Sequence, residues 1–282
     1  VTVLNSSLRA LGETDRGWIT RLVDADPIGQ CVFDARLMVA RSMHPWDFGG
    51  QVWGLDSAAG LRAACYAGGN LIPLGGQPDD LRQMGVELSK QRRTWSSIVG
   101  RADAVLPLWE SVGTHWGRAR LTRANQPLLY TDQPPAISPD PLVQRVQPRE
   151  LGRYLPAAVS MFTEELEVEA PPTGVNSPYR KRLADLIGAG LAFARFGADG
   201  QVMFKAEIAA VSARSCQVQG VWVDPALRGH GIGTAGMAAI IEFGLQVAPS
   251  VSLYVNDFNA SARAVYERLG MRQVGTFATV LF

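Results

Sequence analysis

The chain has 282 residues, 47% of them hydrophobic, and a formal net charge of +1 at pH 7. That length can bury a large core and suits two domains. The balanced charge argues against a nucleic-acid or membrane binder held by bulk electrostatics, and three scattered cysteines (Cys31, Cys65, Cys216) exclude a disulfide framework.

In chain order, the polar start Asn5-Ser6-Ser7-Leu8-Arg9 carries no long apolar run, so neither a signal peptide nor a membrane span is expected. A cytoplasmic, reducing environment is the corresponding expectation. Apolar spacing predicts helices over 15–23 and 28–40, then strands over 51–55, 61–67 and 70–74. The turn Gly75-Gly76-Gln77-Pro78-Asp79-Asp80 opens a helix running to Lys90, followed by a strand over 97–99, a helix over 102–116 and a strand over 120–129. Next comes Gln133-Pro134-Pro135-Ala136-Ile137-Ser138-Pro139-Asp140-Pro141, whose four prolines can continue neither a helix nor a central strand. It is read as a linker (133–141) between an N-terminal domain (1–132) and a C-terminal domain (142–282). The second domain is predicted as a strand over 142–146, helices near 149–165 and 178–187, and strands over 191–196, 202–211 and 216–223. A helix over 234–247, a strand over 251–255, a helix from Asn259 to Gly270 and a strand over 274–281 complete it.

The densest signal is Val221-Trp222-Val223-Asp224-Pro225-Ala226-Leu227-Arg228-Gly229-His230-Gly231-Ile232-Gly233-Thr234. A strand ends at Asp224-Pro225, because proline has no N–H for a ladder. Three glycines then strip Cβ atoms from a run of amides that leads into a helix. Free N–H groups at a helix start, with the dipole behind them, attract phosphate. Arg228 adds a cation, while His230 is expected to matter more through its backbone than its imidazole. A P-loop would need Lys-Ser or Lys-Thr after the last glycine, and Gly233-Thr234 has no lysine. A dinucleotide fold would want an acidic ribose ligand about 20 residues on, and Val247–Leu253 has no carboxylate.

The pattern Arg228-x-x-Gly231-x-Gly233 resembles the pyrophosphate loop of the GCN5-related N-acetyltransferase (GNAT) superfamily. Asn256-x-x-Asn259-x-x-Ala262-x-x-x-Tyr266-x-x-x-Gly270-Met271 resembles that superfamily's second block. The resemblance implies an α/β (α+β) fold, with a mixed, mostly antiparallel twisted sheet flanked by helices. It also implies acetyl-CoA as cosubstrate, held by Val221, Trp222, Val223, the loop Arg228 to Thr234 (with Gly229, His230 and Ile232), Asn259 and Tyr266. Asn259 would touch the CoA arm and Tyr266 would lie near the thioester sulfur; the alternative roles are a helix cap and a core aromatic. The strand before the loop and the strand over 251–255 would splay, so that the pantetheine arm bonds like an added strand.

The N-terminal part has a related rhythm and reads as a degenerate second copy, giving two tandem GNAT-like domains; an unrelated α/β domain is the alternative. Asp79 and Asp80 stand where phosphate would sit, so this copy is not expected to bind CoA. The whole chain resembles acetyltransferases that carry an N-terminal domain of unknown function.

For the chemistry, backbone amides over 219–223 could polarise the thioester carbonyl, and Tyr266 is the candidate general acid. Many relatives place a basic carboxylate on the strand before the loop, but Cys216-Gln217-Val218-Gln219-Gly220-Val221-Trp222-Val223 has none. Glu207 is one candidate base, with a cross-strand ion pair to Lys205 as its other fate. The second is the acidic run from Glu164 and Glu165 to Glu167 and Glu169, at a helix C-terminus where negative charge opposes the macrodipole; a solvated loop or a water-mediated base are the alternatives.

The function expected is acetyl-CoA-dependent N-acetylation of a primary amine of a small molecule or peptide, by direct attack in a ternary complex. The alternatives are a non-catalytic acyl-CoA-binding sensor and a tandem acyltransferase acting on a specialised metabolite or using aminoacyl-tRNA. Besides acyl-CoA and the amine no partner is expected, neither nucleic acid nor membrane, and the protein would be a monomer or homodimer. His44, His115 and His230 share no ligand spacing, so no metal is expected.

Overall fold

A computed structural model describes residues 7–166 and 169–282. Contacts divide the chain into two units that interleave in sequence: one takes the chain through Leu128 with Tyr254–Phe258 and Gln273–Phe282, and the other takes Leu129–Leu253 and Asn259–Arg272.

The first unit begins with strand β1 (Ser7–Ala10) and helices α1 (Arg16–Ala25), α2 (Cys31–Val39) and α3 (Pro45–Phe48). Strands β2 (Gln51–Ser57), β3 (Gly60–Ala67) and β4 (Leu71–Gly75) follow. Helix α4 (Pro78–Ser89), strand β5 (Ser97–Arg101), helix α5 (Ala102–Trp116) and strand β6 (Leu121–Thr131) complete the run. The closing strand of the chain, β12 (Arg272–Leu281), lies antiparallel to β5, giving the order β1-β2-β3-β4-β5-β12-β6. β4 and β5 are parallel and pair only at Leu71 and Ile98. Two apolar clusters sandwich this sheet. Phe33, Phe48 and Tyr66 meet under α1 and α2, while Leu81, Met84, Leu108 and Val112 join α4 and α5 to the strands.

The second unit comprises strand β7 (Gln144–Arg145), helices α6 (Leu151–Leu166) and α7 (Pro178–Gly188), and strands β8 (Ala192–Phe196), β9 (Val202–Val211) and β10 (Cys216–Val223). Helix α8 (Ile232–Val247), strand β11 (Val251–Tyr254) and helix α9 (Ala260–Arg268) follow. Its sheet runs β11-β10-β9-β8-β7, antiparallel except at the β10–β11 step. Period-two alternation separates the two faces of β9. Phe204 points toward α8, where a Cβ on Gly236 would stand 2.8 Å from its ring, so only glycine lets the helix lie this close. Lys205 and Glu207 point the other way, toward α6, where Tyr154, Leu155 and Trp222 belong to one buried cluster.

The chain therefore repeats one order of elements: a strand, helices, three strands, a helix, a strand, a helix and a strand. This is the mixed, mostly antiparallel α/β architecture expected. Two elements escaped the sequence reading. β1 is four residues, none of them buried, and α3 is a single turn begun by His44 and Pro45. Neither is long enough to show a period.

Candidate functional site

The second unit's sheet opens beside β10. Parallel pairing with β11 holds only at Cys216–Val251 and Gln217–Ser252. Up to that point β10 is buried; beyond it Gln219, Gly220 and Val221 are partly exposed in the middle of the unit. The other edge of β10 is irregular too, since its register with β9 jumps between Gln219–Glu207 and Trp222–Lys205. The extra residues form a bulge at Gly220, whose φ of 59° favours glycine.

A buried polar cluster backs this bulge. Lys205 is fully buried, and its Nζ lies 2.9 Å from Glu207 Oε1 and donates to the Gly220 carbonyl at 2.9 Å. Glu207, 2% exposed, also accepts from Tyr154 Oη on Oε1 and from Gln219 Nε2 on Oε2, both at 3.0 Å. Burial opposes the charge on Glu207, but the Lys205 ammonium, Arg182 and the Tyr154 hydroxyl outweigh it, so its pKa falls below the usual carboxylate range. Burial and the Glu207 charge push the Tyr154 phenol well above its ordinary value. Of the two fates open to Glu207, the structure places it in the ion pair with Lys205. Both oxygens are engaged, and it faces Gly220: a Cβ there would stand 3.1 Å from Lys205 Nζ and 3.3 Å from Glu207 Cδ.

Beyond β10, the loop turns through Gly229 (φ 82°) and Gly231 (φ 80°), with open space beside each Cα. Gly231 is the N-cap of α8, with no side-chain cap and no acidic residue in the first turn. The first amides of a 16-residue helix are thus left for an anion. His230 is exposed, and its Nδ1 lies 2.9 Å from the Arg228 carbonyl, bracing the loop. Ile232, Gly233 and Thr234 form the first turn; a Cβ on Gly233 would meet Val223 at 3.2 Å. Arg228 curls back, donating from Nε to the Val223 carbonyl at 3.1 Å and from Nη2 to Glu164 Oε2 at 2.6 Å. Glu164 Oε1 accepts from Trp222 Nε1 at 3.1 Å. Glu164 therefore ties the end of α6 to the strand and loop.

Glu165 belongs elsewhere. Tyr266, on α9, is 5% exposed, and its phenol is pushed far above the ordinary tyrosine value by burial and then by the Glu165 carboxylate. These two residues share one neighbourhood. Glu167 and Val168, in the remainder of the acidic run, lie outside the described residues. Asn259 caps α9: its Oδ1 accepts from the Ala262 amide at 3.1 Å and from Ser261 Oγ at 3.1 Å. That leaves its Nδ2 as the group it can offer a ligand.

Three features were missed in the sequence. The Arg228–Glu164 link is a long-range pair with no local trace. Tyr154 reads as an ordinary apolar helix position. The bulge did leave a signal, since an isolated glycine inside a strand pattern marks one. Among the described residues, no cluster of His, Cys, Asp or Glu could hold a metal ion, and no helix is long and apolar enough to cross a membrane.

Comparisons with known proteins bear on the family and the fold. Residues 163–271 match the Acetyltransferase (GNAT) family, and residues 50–154 match a domain of unknown function, DUF4081. No curated protein matches the chain. Among solved structures, a GCN5-related N-acetyltransferase from Sphaerobacter thermophilus is 16% identical with a TM-score of 0.61, over 98% of this chain and 94% of that one. An acetyltransferase from the GNAT family of Colwellia psychrerythraea is 12% identical with a TM-score of 0.55, over 98% and 99%. A tandem GNAT protein from the clavulanic acid biosynthesis pathway is 12% identical with a TM-score of 0.56, over 98% of each chain. At these identities the likeness is one of fold, and it spans the whole chain.

Proposed function

We propose, from the premise that residues 163–271 are an acetyltransferase domain of the GNAT family, that the protein transfers the acetyl group of acetyl-CoA to a primary amine. The acceptor would be a small molecule or a peptide, and attack would be direct, within a ternary complex. The observation that carries the reading is the early parting of β10 from β11 directly before the uncapped start of α8. An extended arm can bond to the open strand edge while its diphosphate meets the helix amides.

The residues present fit acetyl-CoA, which supplies an activated acyl group as a thioester. The amides from Gly229 to Thr234 would hold the diphosphate, with open space beside Gly229 and Gly231 for its approach. Val221, Trp222 and Val223 offer strand edge to the arm, and Asn259 Nδ2 can donate to it. Backbone N–H groups at the bulge are fixed donors for developing negative charge on the acyl oxygen, usually the largest catalytic term. Tyr266 would give its Oη proton to the departing sulfur. Its raised pKa keeps that proton in place across neutral pH.

Glu207 makes a poor base, because it is buried, paired and less basic than a free carboxylate. It positions the bulge instead. Glu164 steadies Arg228. Glu165, near Tyr266, is the carboxylate best placed to take the amine proton, directly or through water. A second reading, a non-catalytic acyl-CoA sensor, draws on the lack of an exposed carboxylate on β10.

Mass spectrometry of a metabolite and peptide library incubated with protein and acetyl-CoA tests the proposal. An amine gaining one acetyl group, with matched thioester loss, is the expected result. CoA binding without thioester consumption would instead establish the sensor, and dependence on charged tRNA would establish the aminoacyl route.

A further inference from the structure

One polar side chain at the opened strand takes no part in the acetyl-transfer steps proposed for the site. Gln219 is the last residue of β10 in register before the bulge, facing Glu207 across the sheet, and it is partly exposed. Its Nε2 donates to Glu207 Oε2 at 3.0 Å. That bond settles which way round the amide lies. Glu207 has a depressed pKa and stays ionised, so it can only accept, and Gln219 must present its NH2 group to it. The carbonyl oxygen Oε1 is then turned away from Glu207, and no described residue donates to it. Two positions back on the same strand face, Gln217 is 4% exposed and its Nε2 has no partner among the described residues. Native proteins rarely leave buried polar groups unmet. This face therefore holds polar capacity that the chain itself does not use.

We infer that Gln219 is the acceptor-orienting residue: its Oε1 receives an N–H of the attacking amine, and Glu207 is the positioning residue that fixes the amide. The inference rests on the acetyltransferase reading and adds to it a specificity element. An amide oxygen accepts a hydrogen bond but cannot take a proton near neutral pH. Gln219 would therefore aim the nitrogen lone pair at the acyl carbon while the proton leaves by another route. A primary amine has one N–H to give to Oε1 and another to lose as the amide forms, whereas a secondary amine has only one for both and would be the poorer acceptor. The Lys205–Glu207 pair gains a purpose here, because a buried ion pair is weak evidence of stability on its own. It holds the bulge carbonyl with one partner and the Gln219 amide with the other.

The test uses a bisubstrate probe, CoA joined through sulfur and an acetyl spacer to n-butylamine as an amide, titrated calorimetrically beside free CoA. The parent should bind the probe more tightly than CoA, because the amide N–H meets Oε1. Gln219→Met keeps length and loses the polar atoms. It should weaken probe binding about five- to tenfold while leaving CoA affinity within about twofold. A probe that binds the parent no more tightly than CoA, or a Gln219→Met protein that binds the probe like the parent, overturns the inference. Should that variant not fold by thermal melt, Gln219→Asn withdraws the oxygen by one methylene but keeps the polarity, and the same loss is expected of it. Failure of the parent to bind CoA at all is a different outcome, and it removes the acetyltransferase reading beneath the inference.

Discussion

The two units share an order of elements but treat the turn between the fourth strand and its helix in opposite ways. In the second unit, α8 starts on Gly231 with no side-chain cap and no acidic residue in its first turn. In the first unit, α4 starts with Pro78, Asp79 and Asp80; Asp80 is buried against Arg62, and Asp79 pairs with Arg82 at 2.8 Å. Carboxylates in the first turn already answer the dipole that would attract an anion. The parted strands differ as well. Where β4 leaves β5, Gln30 Nε2 donates to the carbonyls of Pro73 and Leu74 at 3.4 and 3.3 Å. A side chain thus occupies strand groups that an extended ligand would need. On the proposed function, the same order of elements holds a binding site in the second unit and is closed by its own residues in the first, and the difference lies in a handful of side chains.

Gly231→Leu should separate the two units most strongly. A side chain forced to φ near 80°, and projecting where phosphate would approach, should lower CoA affinity at least about a hundredfold. Asp79→Ala, at the matching turn of the first unit, should change it less than about twofold. Calorimetry on both variants reads the contrast.

Tyr266→Phe should lower turnover by about 10²–10⁴ with CoA affinity unchanged, the usual size of a general acid's contribution. Because the Tyr266 pKa is raised, the parent should show no basic limb from this phenol below about pH 10. A basic limb near neutrality that disappears in the variant would show that Tyr266 ionises in that range.

Replacing Lys205 by Met should destabilise the fold by about 3–5 kcal/mol, since a buried carboxylate would lose its partner. The pH dependence has a definite sign. The folded pKa of Glu207 lies below its unfolded value, so its contribution to stability is present above about pH 4.3. It is lost as pH falls through the folded pKa. Denaturant melts from pH 7 to 3 should therefore steepen in acid for the parent more than for a Lys205→Met, Glu207→Leu double variant.

The smallest effects separate neighbouring carboxylates. Glu164→Gln should raise the Michaelis constant for acetyl-CoA about two- to threefold and leave that of the amine alone, because Glu164 holds Arg228. Glu165→Gln should act on the amine side, through its Michaelis constant or turnover. Steady-state kinetics with each substrate varied checks this split, and the same effect from both variants on the same substrate would show instead that the acidic run acts as a unit.

Much of the fold was legible because long elements carry their own period. Helix 102–116 and strands 202–211 and 216–223 coincide with α5, β9 and β10. The loop was legible too, since glycine at positive φ and a missing cap are local properties of Arg228 to Thr234. What stayed hidden depends on distance in space. Nothing near Glu164 in the chain announces Arg228, 64 residues away, and nothing near Gln30 announces Pro73. Glu207 and Lys205 were visible as neighbours on one strand face, but only the bulge carbonyl and Gln219 reveal what the pair holds.

The most direct test of the central contrast is the number of CoA molecules bound by the whole chain. Titration calorimetry of the intact protein should give one site per chain, abolished in Gly231→Leu and kept in Asp79→Ala. Two sites, or one site that survives Gly231→Leu, would contradict the assignment of an open second unit and a closed first one.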